Sequence, residues 1–171
     1  MAARLRVSLK PSPAITMRRV ALEHERLVYV ICADRKLKYA GGYSQIAYIG
    51  TTRNGVTRVA SSAAYRSWDV LWARGVQSFD VRIVTCRQRK GIRRGSWHRL
   101  ERAMILGFRE LFDEIPLCNV QGSGFEEATE FETFKRSRIH QIIRDLSENG
   151  AKSERNPIVD TIDDDDEDGE D

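Results

Sequence analysis

No stretch of the chain approaches the ~18 to 20 consecutive apolar residues of a membrane-spanning helix, so no membrane is expected among its partners. The opening residues, MAARLRVSLKPSPAITMRRV, hold basic side chains but no uninterrupted apolar core of signal-peptide length, and secretion is not expected. Cysteine is scarce. Cys32, Cys86 and Cys118 are odd in number and widely spaced, with no Cys-x-x-Cys pair and no paired histidines beside them. This excludes a disulfide framework, argues against a zinc site and points to reduced thiols in a cytoplasmic or nuclear compartment. Of only four prolines, Pro11 and Pro13 break the regularity of an N-terminal arm and Pro116 stops a later helix. The glycine-containing stretch Gln121-Gly122-Ser123-Gly124 is too short and lacks the lysine of a nucleotide-binding P-loop.

Charge is abundant and unevenly placed. The net charge is only +3, but residues 160–171, DTIDDDDEDGED, contain nine of the 25 acids and no base. Residues 1–159 therefore carry 28 bases against 16 acids, a net of +12. A body this basic concentrates polyanions and binds phosphate backbones in a salt-dependent way, which makes DNA the expected partner. The polyacidic tail can compete with phosphates for that body or engage a protein partner.

Four segments follow from composition: a basic arm over residues 1–25, a folded domain over 26–125, a C-terminal helix packed on it over 126–148, and a disordered acidic tail over 149–171. Within the domain, residues 27–33, LVYVICA, form an apolar and β-branched run of strand length, ended by Asp34-Arg35-Lys36. Gly41-Gly42 marks a turn, and residues 45–50, QIAYIG, read as the returning antiparallel strand. Asn54 is placed to cap a helix running to about Ala73, with Val56, Val59, Ala60, Ala63 and Ala64 at helical spacing. Residues 78–86 alternate as a third strand, and Ser96 is placed to cap a second helix with Leu100, Met104, Phe108 and Leu111 on one stripe. A third helix is expected from Glu126 to about Leu146. The order β-β-α-β-α-α predicts an α/β (α+β) fold: a small, three-stranded, mainly antiparallel sheet flanked by helices.

Taken singly, the residues that could carry chemistry have plain roles. A tyrosine in a strand packs in a core, an arginine on a helix pairs with an acid, and an asparagine before glycines turns the chain. Their order is more informative. Tyr29 lies in the first strand, Tyr48-Ile49-Gly50 ends the second, Arg58 follows on the first helix, Glu101 lies on the second and Asn119 comes after it. In these positions, over about residues 26–125, the chain resembles the GIY-YIG nuclease family. The second motif is intact as Tyr48-Ile49-Gly50, followed by the family's turn, helix start and arginine. The first reads Val28-Tyr29-Val30 in place of Gly-Ile-Tyr, and the link between the two tyrosines is longer than in minimal members. The His or Tyr that often follows the arginine by one turn falls on Ser61 or Ser62, and Tyr65 is the nearest substitute.

The resemblance implies a divalent-metal-dependent endonuclease hydrolysing DNA phosphodiester bonds, with Tyr29, Tyr48, Arg58, Tyr65, Glu101 and Asn119 as catalytic residues. Such cleavage needs an in-line water, charge stabilisation at the phosphate and neutralisation of the leaving oxygen. Glu101 can hold one Mg²⁺ (or Mn²⁺) through its carboxylate, with water and phosphate oxygens completing the shell. Arg58 can donate a planar fork to the phosphate. The resemblance makes Tyr29 the candidate general base with Tyr48 positioning the water or phosphate, and a phenol near its ordinary pKa of ~10 must be depressed to serve at neutral pH. The basic residues Arg53, Arg87, Arg89, Lys90, Arg93 and Arg94, together with His98, are the expected contacts to nucleic acid. The alternative reading is a nucleic-acid-binding or scaffold domain that keeps the fold without turnover.

Overall fold

In the structure, a computed structural model, residues 26–86, 95–120 and 131–150 are described. The N-terminal arm, the basic loop with Arg87, Arg89, Lys90, Arg93 and Arg94, the expected start of the third helix and the acidic tail beyond residue 150 lie outside them.

Leu27–Tyr39 forms β1, Gly42–Thr52 forms β2 and Phe79–Val84 forms β3. The sheet order is β2-β1-β3, and both pairings are antiparallel. β1 is thus central, which explains why residues 27–33 read as a continuous apolar run and are all buried. Leu27 and Tyr29 pack with Val59 on one face, while Val28 and Val30 join a larger cluster with Leu100, Met104, Phe108 and Ile143. Each such aliphatic side chain contributes roughly 1.5 to 3 kcal/mol by leaving water.

The first strand does not end at Asp34 as its charge predicts. β1 continues to Tyr39, β2 begins at Gly42 instead of residue 45, and only Ala40 and Gly41 link them. The extension is accommodated by a register shift between Cys32 and Leu37, with Cys32 opposite Ile46 and Leu37 opposite Ser44. Asp34, Arg35 and Lys36 are exposed on this irregular stretch, where their charges find partners instead of breaking the strand. The Asp34 carboxylate accepts from the Ser78 backbone N–H at 2.9 Å, Arg35 donates to the Arg74 carbonyl, and Lys36 pairs with Glu148.

Helix α1 spans Gly55–Ser67 and passes into a π-helical turn, Trp68–Trp72, in which the Ala73 N–H donates to the Trp68 carbonyl. Asn54 holds the N-cap position without a side-chain capping bond; its own N–H is taken by Thr52 Oγ1 at 3.0 Å. Helix α2 spans Ser96–Phe112. Gly95, not Ser96, is its N-cap, and the Ser96 hydroxyl is buried with no partner among the described residues. The expected stripe of Leu100, Met104 and Phe108 lies in the core, with Leu111 packed against it.

The predicted helix is not continuous to Leu146: residues 132–135 interrupt it, and helix α3 spans Arg136–Asn149. Lys135 adopts an extended ψ of 115°, and Arg99 of α2 donates to Thr133 Oγ1 at 2.9 Å, tying the chain into a turn before the helix. That turn sets Phe131 and Phe134 against the core, and Ile139, Ile143 and Leu146 follow from α3. Helices α2 and α3 approach closely at Gly107, where a Cβ would stand 2.9 Å from Ile139 Cγ2. No helix among the described residues is long and apolar enough to cross a membrane.

Candidate active site

The two tyrosines meet because of strand register. Tyr29 lies opposite Gly50 and Ile31 opposite Tyr48, so Tyr29 and Tyr48 are diagonal neighbours on one face of the β1–β2 pair. Their ring centroids are 5.8 Å apart. Gly50 makes room for both: a Cβ there would fall 2.6 Å from Tyr48 Cε1 and 2.8 Å from the Tyr29 hydroxyl. The Tyr-x-Gly spacing thus places a ring and a vacant position side by side on the same face, with the partner tyrosine filling the vacancy.

Helix α1 crosses that face with Val59 inward, and its residues at steps of four form a ridge. Ser62 Oγ lies 2.7 Å from the Tyr29 hydroxyl. One turn later the Arg66 guanidinium stacks on the Tyr48 ring at 4.4 Å, with Nη1 donating to the Cys118 carbonyl at 2.9 Å and facing Asp69 at 3.6 Å. One turn before Ser62, Arg58 is exposed on the same ridge, and its guanidinium bonds to no described residue. Arg66 is therefore a fixed cation and Arg58 an available one.

Glu101 lies on α2, within electrostatic range of Tyr48. Burial pushes its carboxyl up to about 7, with the nearby charge of Arg102 pulling the other way. Its charge is felt at Tyr48, whose phenol is pushed up to about 12, first by burial, then by the charge of Tyr29 and a hydrogen bond to it, with Arg66 opposing. That hydroxyl stays protonated at neutral pH and acts as a hydrogen-bond donor.

Asn119 has a different task. Its Oδ1 accepts from the Ile49 N–H at 2.9 Å and its Nδ2 donates to the Ile49 carbonyl at 2.7 Å, so it clamps the backbone between Tyr48 and Gly50. Asn119→Ala should lower unfolding free energy by about 1 to 2 kcal/mol through the two lost bonds. Thermal melts will show this, and a variant as stable as the parent would remove the clamp.

Of the remaining candidates, Tyr65 is 76% exposed and turned away from Tyr29, so Ser62 occupies the place it was expected to fill. Arg53 is exposed, and His98 is exposed beside the Trp97 ring at 5.3 Å. Ser62 and Arg66 were missed by sequence reasoning, although the i, i+4, i+8 row beginning at Arg58 was there to find them. Among the described residues no group of three or more His, Cys, Asp or Glu side chains could hold a metal ion; Glu101 offers one carboxylate within electrostatic range of Tyr48. No family model matches the chain, and neither a curated protein nor a solved structure matches it.

Proposed function

We propose that the protein is a divalent-metal-dependent endonuclease of the GIY-YIG type, acting on DNA through its basic body. The observation that carries this reading is the cluster of Tyr29, Tyr48, Ser62 and Arg66 on one face of the sheet, with Glu101 of α2 within electrostatic range of Tyr48 and Arg58 one turn before Ser62 on the same row of α1. A structural role for each residue alone does not explain why a desolvated acid lies within electrostatic range of a buried tyrosine pair.

One carboxylate suits Mg²⁺, which keeps several waters and needs few protein ligands. Held by Glu101, the ion would supply charge neutralisation at the leaving oxygen. Arg58 donates its fork to the scissile phosphate and stabilises the charge that develops there. Tyr48, held protonated, donates to the attacking water or to a phosphate oxygen. Tyr29 is the candidate general base: with its own proton already released to solvent, its phenolate oxygen would take the proton of that water and return to the neutral phenol, with the Ser62 hydroxyl 2.7 Å away placed to donate to the phenolate beforehand. Arg66 keeps the Tyr48 ring in place.

One observation favours the alternative of a binding domain without turnover: the hydroxyl partner of Tyr29 is Ser62, an alcohol too weak as an acid or a base to serve as a proton-transfer group at neutral pH. Incubation of supercoiled plasmid with the full chain and Mg²⁺ or Mn²⁺ separates the two. Nicked and linear product that disappears with a chelator is expected. Salt-dependent plasmid binding with no product under either metal would establish the binding domain instead.

A further inference from the structure

The largest exposed aromatic surface among the described residues lies at the end of α1 and is not part of the phenol cluster. Tyr65, Trp68 and Trp72 are 76%, 66% and 52% exposed, and they follow one another along one side of the helix and its π-helical turn. The two indoles lie nearly parallel, with centroids 5.9 Å apart and planes 16° apart. Aromatic side chains of this size bury large areas when they have a partner, and a contiguous exposed set marks a binding surface.

Three observations select the occupant. Residues 53–74 carry Arg53, Arg58, Arg66 and Arg74 against Asp69 alone, a setting that draws a polyanion. Arg66 links the stripe to the phenol cluster, with its guanidinium 4.4 Å from the Tyr48 ring and 5.7 Å from that of Tyr65. The π-helical turn that carries both indoles is a rare distortion which recurs at functional sites. Rings with broad π-faces beside cations are how proteins hold unpaired bases while tracking the phosphates between them.

We infer that Tyr65, Trp68 and Trp72 form a stacking platform for the unpaired bases of a single-stranded nucleic acid segment, leading its backbone toward the tyrosine pair. The platform rests on the nuclease reading for its purpose, since it makes single-stranded or splayed DNA the substrate class, but it can be tested without catalysis. A closed duplex hides its base faces and can use only the arginines.

Binding is measured by fluorescence anisotropy with metal chelated, so that cleavage plays no part. The probes are a mixed-sequence oligodeoxynucleotide and an abasic oligomer of equal length. The parent protein should bind the base-bearing strand about tenfold or more tightly than the abasic one. The Trp68→Ala/Trp72→Ala double variant should lose that preference while keeping the affinity for the abasic strand, and Trp68→Phe should retain most of it. Both indoles are exposed, so the double variant's melting temperature checks that the fold is intact. Equal binding of the two strands by the parent overturns the platform, as does a preference that survives in the double variant. Self-association of the parent that the double variant abolishes also overturns it, by showing a second copy on the stripe. Absence of plasmid cleavage with the strand preference intact would instead count against the nuclease reading alone.

Discussion

Glu101→Gln is expected to abolish metal-dependent cleavage and, in the metal-free protein, to raise thermal stability above neutral pH. The two effects have one cause. Burial raises the folded-state value of this carboxyl from the ordinary 4.5 to about 7, so the folded protein holds a proton that the unfolded chain releases. The associated stability is fully present below 4.5, declines as pH rises between the two values and is lost above about 7. At about pH 8 the folded protein must keep a desolvated carboxylate, at a cost of about 3 kcal/mol at most. Glutamine has the same shape and no charge to desolvate, so the variant should melt several degrees higher there and differ little near pH 4. Added Mg²⁺ should raise the melting point of the parent and leave that of the variant unchanged. Melting curves of both proteins across pH, with and without the ion, provide the measurement. Equal melting points at every pH would make Glu101 an ordinary solvated acid, and a variant that still cleaves plasmid would remove it from the active site.

Arg58→Lys is expected to lower the single-turnover cleavage rate by at least ~10²-fold, the loss seen when one oriented charge donor is removed, while DNA affinity falls little. Lysine keeps the charge but not the planar two-pronged donor. Arg58 is exposed and its guanidinium bonds to no described residue, so stability should change by less than about 0.5 kcal/mol. The same substitution at Arg66 supplies the contrast. There the guanidinium stacks on Tyr48 and donates to the Cys118 carbonyl, and Arg66→Lys should lower stability as well as rate. A loss at Arg58 that is equal in binding and rate would make it a clamp on the DNA backbone.

The geometry also bears on the balance between stability and activity. A desolvated carboxyl within electrostatic range of Tyr48 and a buried serine hydroxyl without a described partner at the start of α2 are both destabilising features of the fold. Only for the first does the nuclease reading supply a use.

Much of the fold was legible in the sequence because it depends on local pattern. The apolar run of residues 27–33, the alternation around Phe79, Val81 and Ile83, and the stripe Leu100-Met104-Phe108 specify element types through side-chain direction alone, and the structure has these elements in an antiparallel three-stranded sheet. The pairing of Tyr29 with Tyr48 was legible only as an expectation, since it needs a register in which both fall on one face. Tertiary structure alone decided the extension of β1 through Asp34, Arg35 and Lys36, because it depends on partners as distant as Ser78 and Glu148. It likewise decided the turn that interrupts the predicted helix before α3, which Arg99 helps to hold through Thr133. It set Ser62 and Arg66 over the tyrosines while Tyr65 turned to solvent, because the ridge that α1 presents depends on how the helix crosses the sheet. Helical spacing by itself leaves that angle free.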